Sequence, residues 1–459
     1  MKPKRCRHFG KGEAGHDVLL EGKMGDTQRS QTVSTKLQWI AEQAARYPER
    51  TFTSLAHLID VDMLREAFCR TRKDSAPGVD GVTAQEYAER LEDNLADLYT
   101  RLRSNKYQAP PVKRAWADKD DGSQRPLGMP VFEDKIVQRV ASMVMSAVYE
   151  QDFYDFSHGF REEHSPHQAL KELREKCYKL NINWIVDADV TGFFDNLDHG
   201  LIREFIRRRV NDGGLLRLIG KWLNAGVLDG GELSYPEKGS PQGGVISPLI
   251  ANVFLHYVLD EWYAEVVKPR LRGRSFLIRF ADDFVIGCEL EEDARRVMAV
   301  LSKRFARYKL TVHPEKTRLI EFRNPDQRKG SGTGANTFDF LGFTHYWAKS
   351  RRGYWVISRR TVRKRLQRAM KSLWHYCQSN RHMNLREQHR NLRAKLRGHY
   401  NYYGIRSNYR QLWTVRQHVW RSWRYWLGKR HRNGAITLVR YEKLLESFPL
   451  PRPRIVHSI

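Results

Sequence analysis

The chain has few cysteines and no long hydrophobic run, and both shortages exclude whole classes of protein. Its cysteines are scattered, odd in number and never form a CxxC pair: Cys6, Cys69, Cys177, Cys288 and Cys377. This pattern argues against a disulfide scaffold and against a structural zinc module, and it fits a reducing cytosol. No apolar stretch reaches the length of a membrane span, and the N-terminus lacks a signal-peptide core. We therefore expect a cytoplasmic protein with no membrane partner.

Acidic residues are scarce in one region in particular. The whole chain has 80 Lys and Arg against 53 Asp and Glu, which gives a formal charge of +27. Residues 351–440 hold 24 Lys or Arg and a single acid, Glu387, so this region carries +23 of that charge. Because each neutralised phosphate releases condensed counterions, a local surplus of this size predicts a polyanionic partner.

Hydrophobic periodicity divides the chain into a mixed α/β part and a basic helical part. Residues 1–32 are rich in Gly and Lys and are predicted to form a disordered basic arm, with helical periodicity beginning near Leu37. Turn residues predict a hairpin within 110–131. Apolar runs predict further strands at 183–190, 276–280, 284–287, 318–322 and 338–343. From Ser358 to about Lys429 the pattern is helical, so the predicted architecture is α/β followed by a helical bundle.

Two adjacent aspartates, Asp282 and Asp283, interrupt the apolar stretch RFADDFVI at 279–286. Carboxylates this close repel each other unless a cation lies nearby, and Mg²⁺ would remove that repulsion while keeping positions open for water and phosphate. In the strand NWIVDADV, Asp187 and Asp189 share a face, and Asp189, at the exit, is the better placed third acid. Acids on two strands suit a two-metal site for phosphoryl transfer. The alternative interpretation is structural, because two adjacent aspartates in a turn commonly cap a hairpin.

Several short motifs occur in the order of the reverse-transcriptase motif series. They are QRPLGMP (124–130), DVTGFFD (189–195), SPQGGVISPLIAN (240–252), FADD (280–283), HPEKT (313–317) and FLGF (340–343). With SAPGVDGVT (75–83) and LRGHYNYYG (396–404), they resemble the group II intron-encoded reverse transcriptase/maturases over roughly residues 33–455.

The resemblance implies a right-hand polymerase, in which an α/β fingers and palm are followed by an all-α thumb, or domain X. The N-terminal extension and fingers would cover residues 33–182, and the palm, with the catalytic motifs, residues 183–350. The basic helical thumb and the C-terminal tail would cover residues 351–459.

The resemblance implies that the aspartates are the catalytic metal ligands of the palm. Asp189, Asp282 and Asp283 match those ligands, and the backbone carbonyl of Val190 matches an additional one. The implied cofactor is Mg²⁺, with about two ions in each active site. Phe280 stands where the family usually has tyrosine. This departure removes a hydroxyl but no carboxylate, so metal binding is expected to persist, while fidelity or the grip on the primer could differ.

The resemblance also implies a set of nucleotide-binding side chains: Lys119, Arg125, Phe194, Gln242 and Lys316. Lys119 and Arg125 would grip the triphosphate of the incoming dNTP, although cations on a hairpin are usually solvated. Phe194 would exclude a 2′-hydroxyl, but the sequence alone favours core packing there. Gln242, before paired glycines, would lie against the nucleotide and template, or belong to a turn. Lys316 would donate a proton to the leaving pyrophosphate, although a surface lysine is the usual interpretation.

The basic region interleaves its cations with aromatic rings, and six of the twelve tryptophans lie within 354–426. Long helices with arginine on one side can follow phosphates, while rings can stack on unpaired bases or pack helices together. We expect most of these rings to lie in the core. The resemblance implies a thumb that holds the template–primer duplex and structured intron RNA, with these contacts: Arg397, Tyr402, Tyr403, Arg421 and Arg424.

The leading hypothesis is an RNA-directed DNA polymerase that binds group II intron RNA and assists its splicing and mobility, with template–primer, dNTPs and a DNA target as partners. Two alternatives are a domesticated relative that serves in defence or DNA repair, and an RNA-binding maturase whose polymerase is silent. The intact aspartates argue against the silent polymerase. Because the chain lacks CxxC pairs, we expect no HNH endonuclease, and primers would come from existing DNA ends. The expected location is the bacterial cytoplasm, at the nucleoid.

Overall fold

The structure is a computed structural model that describes residues 24–118, 124–235, 238–239, 243–327, 336–430 and 434–459. Two of the predicted nucleotide contacts, Lys119 and Gln242, lie outside the described residues, as do residues 1–23 of the predicted arm and the predicted hairpin tip at 120–122.

The N-terminal part consists of helices and an antiparallel hairpin. Its elements are α1 (Met24–Arg46), α2 (Val61–Arg70), α3 (Ala84–Glu89), α4 (Leu91–Arg103), β1 (Val112–Asp118), β2 (Gln124–Met129), α5 (Phe132–Tyr149) and α6 (Pro166–Lys179). Helix α5 runs through the core and buries Ile136, Val140 and Val144 completely. The predicted hairpin within 110–131 is confirmed, since β1 and β2 pair from Lys113–Met129 to Asp118–Gln124.

Helix α1 begins earlier than the sequence predicts. The prediction of disorder is wrong for residues 24–32, because the helix starts at Met24. Neither glycine nor proline follows Gly25 until Pro48, so no residue in this stretch interrupts helical hydrogen bonding. The helix packs against α5 and buries these side chains: Val33, Ile40 and Ala44.

The middle of the chain contains a four-stranded antiparallel sheet, called the central sheet below. Its elements are β3 (Trp184–Ala188), α7 (His199–Arg209), α8 (Gly213–Leu223), β4 (Val227–Asp229), β5 (Glu232–Ser234), α9 (Ser247–Leu255), β6 (Ser275–Phe280), β7 (Asp283–Cys288), α10 (Glu291–Arg307) and β8 (Arg318–Glu321). The central sheet has the order β6-β7-β3-β8, while β4 and β5 extend the N-terminal hairpin in the order β2-β1-β4-β5. Helix α9 continues through π-helical turns at His256–Asp260 and Trp262–Val267.

The C-terminal part begins with a second, three-stranded sheet and ends in helices, called the C-terminal bundle below. Its elements are β9 (Phe338–Phe340), β10 (Phe343–Lys349), β11 (Trp355–Thr361), α11 (Arg363–Ser379), α12 (Leu385–Tyr403), α13 (Tyr409–Gly428) and α14 (Leu438–Ser447). The predicted helical bundle is confirmed from α11 onward. As expected, aromatic rings lie in its core: Trp423 is buried and donates through Nε1 to Gln388 Oε1 at 2.9 Å.

One strand prediction and one helix prediction in this part are wrong. The sequence predicts a single strand over 338–343, but the chain turns at Leu341 and Gly342, which both have positive φ, 49° and 81°. Glycine adopts this conformation easily, so FLGF forms a tight hairpin turn between β9 and β10. The helix predicted from Ser358 begins only at Arg363, because β11 buries alternate residues up to Thr361, as a strand does.

Three of the cysteines, Cys177, Cys288 and Cys377, are free thiols and are buried. Burial raises the pKa of the Cys288 thiol to about 12, so it stays protonated at neutral pH. No helix in the described part of the chain is long and apolar enough to cross a membrane.

His256, in the first π-helical turn, makes the stability of the fold depend on pH. Its ring is 6% exposed and lies 5.5 Å from the ring of Phe153 and 4.8 Å from that of Tyr257. Burial lowers its pKa from 6.5 to about 4, so the folded protein holds it neutral. The unfolded chain binds a proton first as the pH falls, and stability that is present above pH 6.5 is lost toward pH 4.

We expect the His256→Phe variant to lose this dependence. Between pH 7 and pH 4, the free energy of unfolding of the wild type should fall by about 3 kcal/mol relative to the variant. This is the change that the lowered pKa of His256 implies. Urea unfolding of both proteins at several pH values measures the difference. His382→Gln, at an exposed ring, is the control. Parallel pH curves for wild type and His256→Phe would contradict the prediction.

Candidate active site

The adjacent aspartates lie at the end of a tight hairpin in the central sheet. Phe280, the last residue of β6, pairs with Asp283, the first residue of β7, so Ala281 and Asp282 alone form the turn. Ala281 has a φ of 57°, which is unusual for a residue with a side chain. Gly159 packs against this turn so closely that a Cβ there would come within 2.1 Å of the Ala281 nitrogen. Only glycine fits at that position.

Strand β3 brings the third carboxylate to the same end of the sheet. Asp187 pairs with Val285 and Ala188 with Phe284, so Asp189, which directly follows β3, emerges beside the turn. The backbone carbonyl of Asp189 accepts a hydrogen bond from the amide of His313 at 2.8 Å. The next residue, Val190, is buried and forms an isolated bridge with Val312.

The carboxylates at this end of the sheet influence one another's ionisation. Burial, followed by the charge of Asp189, raises the pKa of Asp282. The pKa of Asp283 rises to about 7, first through burial and then through the charges of Asp187, Asp282 and Asp189. Asp283 is nevertheless exposed to solvent, so its carboxylate is accessible to a ligand.

Asp187 and Asp189 differ in the exposed fraction of their side chains and in their hydrogen-bond partners. The Asp187 carboxylate accepts from Arg318 at 3.0 Å and its side chain is 15% exposed. The Asp189 side chain is 46% exposed. This difference favours Asp189 over Asp187 as the acid that faces a ligand.

The donor set suits a hard cation, because it consists of carboxylate oxygens whose mutual repulsion a divalent ion would relieve. Within the described residues, however, no three His, Cys, Asp or Glu side chains are close enough together to hold an ion in the present conformation. A lysine stands near instead: Lys316 Nζ lies 3.1 Å from Asp189 Oδ2. The lysine neutralises part of the charge that a metal would otherwise balance.

We expect Lys316 to compete with the metal for Asp189. In a Lys316→Met variant, the Mg²⁺ concentration that gives half-maximal primer extension should fall about twofold to fivefold, as expected for loss of an exposed ion pair. The maximal rate should also fall if Lys316 donates a proton in the reaction. Lys309→Met is a matched control, since Lys309 makes a similar exposed ion pair with Asp198. An unchanged or higher Mg²⁺ requirement in Lys316→Met would refute the competition.

The other predicted nucleotide contacts that the structure describes lie around this end of the sheet. Arg125 is exposed on β2, opposite Ala117, and its charge acts on the pKa of Asp282. Phe194 is half-buried, and its ring meets that of Phe193 edge-on at 5.3 Å. It therefore packs against the core, as the sequence alone favours, and keeps part of its surface exposed.

Gly243, the residue after the predicted Gln242 contact, packs against the N-terminal hairpin. It has a φ of 111°, and a Cβ there would lie 2.4 Å from the Gly128 carbonyl oxygen. Gly243 therefore touches β2 directly, and a glycine is required for this approach.

The predicted nucleic-acid contacts fall into two groups. Arg397 and Arg421 are exposed on α12 and α13, whereas Arg424 donates through Nε to the Ile436 carbonyl at 3.2 Å. The other two, Tyr402 and Tyr403, pack at the junction with the second sheet. The Tyr402 hydroxyl donates to the Leu341 carbonyl at 2.9 Å, and the ring of Tyr403 lies 5.3 Å from that of Phe343. The tyrosines thus fasten the C-terminal bundle to the FLGF turn.

The residues beneath the hairpin are not among those predicted from the sequence. Arg279, Asp260 and Asn252 are buried below the Ala281–Asp282 turn, and Arg279 donates hydrogen bonds to both Asp260 and Asn252. The available signal was a charged residue in the apolar strand SFLIRF, because a fully buried arginine requires a partner. Its partners lie 19 and 27 residues earlier in the chain, where no local pattern connects them.

The central part of the chain matches a known family. A sequence model described as "Reverse transcriptase (RNA-dependent DNA polymerase)" matches residues 117–345, which include the central sheet and both strands that carry the aspartates. The fold is accordingly of the palm and fingers type, with mixed α/β content and many helices.

Curated proteins of similar sequence indicate more specifically which reverse transcriptases this chain resembles. Protein YkfC of Escherichia coli (strain K12) is 33% identical over 288 residues, which are 55% of this chain and 75% of that protein. Group II intron-encoded protein LtrA of Lactococcus lactis subsp. cremoris is 32% identical over 280 residues, 58% of this chain and 46% of LtrA. The putative COX1/OXI3 intron 1 protein of Saccharomyces cerevisiae is 25% identical over 426 residues, 78% of this chain and 50% of that protein.

These matches confirm the resemblance. The chain belongs to the group II intron-encoded reverse transcriptase/maturase family. It spans about half the length of LtrA and of the yeast intron protein.

Proposed function

We propose that this chain copies RNA into DNA with Asp189, Asp282 and Asp283 as the ligands of two Mg²⁺ ions. The observation that carries the proposal is the position of three carboxylates at one end of the central sheet, two with a raised pKa and the third in contact with Lys316. When bound, such ions activate the attacking oxygen of the primer and stabilise the leaving pyrophosphate. The Val190 carbonyl would complete the ligand set.

The surrounding side chains would bind the incoming dNTP. Arg125, together with Lys119 on the same hairpin sequence, would contact the triphosphate, because a guanidinium binds phosphate oxygens in pairs. Phe194 would limit space at the sugar, and Gln242 would lie against the template. Lys316, which now contacts Asp189, would move to the pyrophosphate once metal replaces it.

We further propose that the C-terminal bundle is the thumb, or domain X, and that it binds intron RNA and the template–primer duplex. Its surplus of positive charge supports this assignment, and Arg397 and Arg421 are exposed for phosphate contacts. The domain limits at residues 182 and 350 belong to the same proposal, as does action on a DNA target in a bacterial cytoplasm.

The splicing role is tested with a precursor RNA that carries the group II intron around this reading frame. At a Mg²⁺ concentration too low for self-splicing, we expect the purified protein to raise the splicing rate by stabilising the folded RNA. The Asp282→Asn/Asp283→Asn variant should stimulate splicing equally, because RNA binding and DNA synthesis use different surfaces. Primer extension without any effect on splicing would contradict the maturase role and leave a polymerase that serves another purpose.

A further inference from the structure

A fully buried arginine lies directly beneath the carboxylate hairpin. Arg279, in β6, and Asp260, at the end of the first π-helical turn, are both 0% exposed. Arg279 donates to both carboxylate oxygens of Asp260, through Nε at 2.8 Å and through Nη2 at 2.5 Å. These two parallel hydrogen bonds require the planar guanidinium of arginine, and the ammonium group of lysine cannot form them.

The remaining nitrogen of the guanidinium reaches the turn itself. Arg279 Nη1 donates to the Ala281 carbonyl at 3.0 Å and to Asn252 Oδ1 at 2.9 Å. Asn252 in turn donates to the Gly159 carbonyl at 2.7 Å, and Gly159 is the residue that packs against the turn. The backbone amide of His158 donates to the Arg279 carbonyl at 2.8 Å. The turn is therefore held from below by the π-helical turn, by α9 and by the segment before α6.

The carboxylate turn requires such support for two physical reasons. Ala281 has a positive φ, a conformation that persists only where the surroundings enforce it. Asp282 and Asp283 also repel each other and Asp189, and this repulsion favours a turn that opens. A buried ion pair adds little stability compared with apolar side chains, but it fixes a geometry.

We propose that Arg279 is the positioning residue of the metal site. Held by Asp260 and Asn252, its guanidinium fixes the Ala281 carbonyl, and through it the direction in which the Asp282 carboxylate points toward the metal. The inference rests on the proposed function, since it concerns the same metal site, but it assigns a role to residues that touch neither substrate nor metal.

A second buried arginine provides a matched control. Arg209 is 5% exposed and donates to both oxygens of Asp152, at 2.7 and 3.0 Å. It also donates to the Tyr47 carbonyl at 3.2 Å, so it fastens α7 to the end of α1 rather than to the carboxylate hairpin. Replacing either arginine by lysine disturbs a buried ion pair of the same type, but only one of the two pairs contacts the turn.

The test compares Arg279→Lys with Arg209→Lys by three measurements: the Tm, the affinity for template–primer, and Mn²⁺ binding to the protein alone, followed by electron paramagnetic resonance. Both variants should have a lower Tm and unchanged affinity for template–primer. Only Arg279→Lys should bind Mn²⁺ more weakly, by about 10-fold to 100-fold, the range for losing a group that orients a metal ligand. Equal Mn²⁺ affinities in the two variants would overturn the proposal.

The double variant Arg279→Met/Asp260→Leu covers the case in which Arg279→Lys does not fold. Apolar side chains of similar volume restore stability at buried ion pairs, so the Tm should approach that of the wild type. The hydrogen bond to Ala281 is still missing, so weak Mn²⁺ binding should persist, and recovery of wild-type binding would refute the role of Arg279. If the wild type itself bound no Mn²⁺ and extended no primer, the proposed function would fail instead.

Discussion

We expect the Asp282→Asn/Asp283→Asn variant to extend a primer about a thousandfold or more slowly than the wild type. Metal ions contribute several kcal/mol to phosphoryl transfer, and each step of about 1.4 kcal/mol is a factor of ten in rate. Asparagine keeps the shape of the side chain but removes the charge that holds the ion. Extension of oligo(dT) on poly(rA) with dTTP and Mg²⁺ measures the loss.

The same variant should remain folded and should still bind RNA. Repulsion among the carboxylates raises the pKa of Asp282 and Asp283, so two neutral amides relieve strain and the Tm should not fall. RNA affinity, measured by filter binding, should be unchanged because the basic region is distant in sequence and carries most of the charge. A variant that still polymerises would refute the metal assignment.

Asp187 and Asp189 supply a matched pair of controls on one strand. Asp189→Asn should be as inactive as the double variant, because its exposed carboxylate is the proposed third ligand. Asp187→Asn should retain activity within about tenfold of the wild type, since that carboxylate contacts Arg318 and is not one of the proposed ligands. The opposite ranking of the two variants would make Asp187 the third ligand.

We expect three exposed arginines of the C-terminal bundle to account for a measurable part of the salt dependence of RNA binding. In the variant Arg393→Gln/Arg397→Gln/Arg421→Gln, the slope of log Kobs against log salt concentration should become shallower by about 2 to 3, since each lost phosphate contact removes nearly one unit. Affinity at low salt should fall accordingly. Titrations of intron RNA at several salt concentrations measure the slope.

The control for this prediction removes the same charge elsewhere. Arg295, Arg296 and Lys303 are exposed on α10, beside the central sheet. Their replacement by glutamine lowers the net charge equally and should leave the slope nearly unchanged. Equal slopes for both triple variants would mean that net charge, and not this surface, determines binding. Deleting the whole region is a poorer experiment, because Tyr402 and Tyr403 also support the FLGF turn.

The sequence predicts those parts of the site that depend on local pattern. β3, β6 and β7 are mostly apolar, so the strands and the aspartates at their ends can be located without a structure. The preference for Asp189 over Asp187 follows from position at the strand exit, and the exposures of the two side chains support it. Caps are equally local: Asp198, the residue before α7, accepts from the Leu201 amide.

Other features depend on tertiary contacts and could not be predicted. Whether FLGF forms a strand or a turn depends on Tyr402, whose hydroxyl binds the Leu341 carbonyl from 61 residues away. The start of α11 is delayed because β11 pairs with β10, and this hairpin overrides the helical pattern that begins at Ser358. The support of the carboxylate turn by Arg279 joins segments that no periodicity connects.

The central claim is that the carboxylates at the end of the central sheet hold catalytic metal. Its most direct test is a crystal of the protein with template–primer, a non-hydrolysable dNTP and Mn²⁺, measured for anomalous scattering from manganese. We predict two manganese peaks, both within ligand distance of Asp189, Asp282 or Asp283. Bound nucleotide with no manganese at these carboxylates would contradict the account.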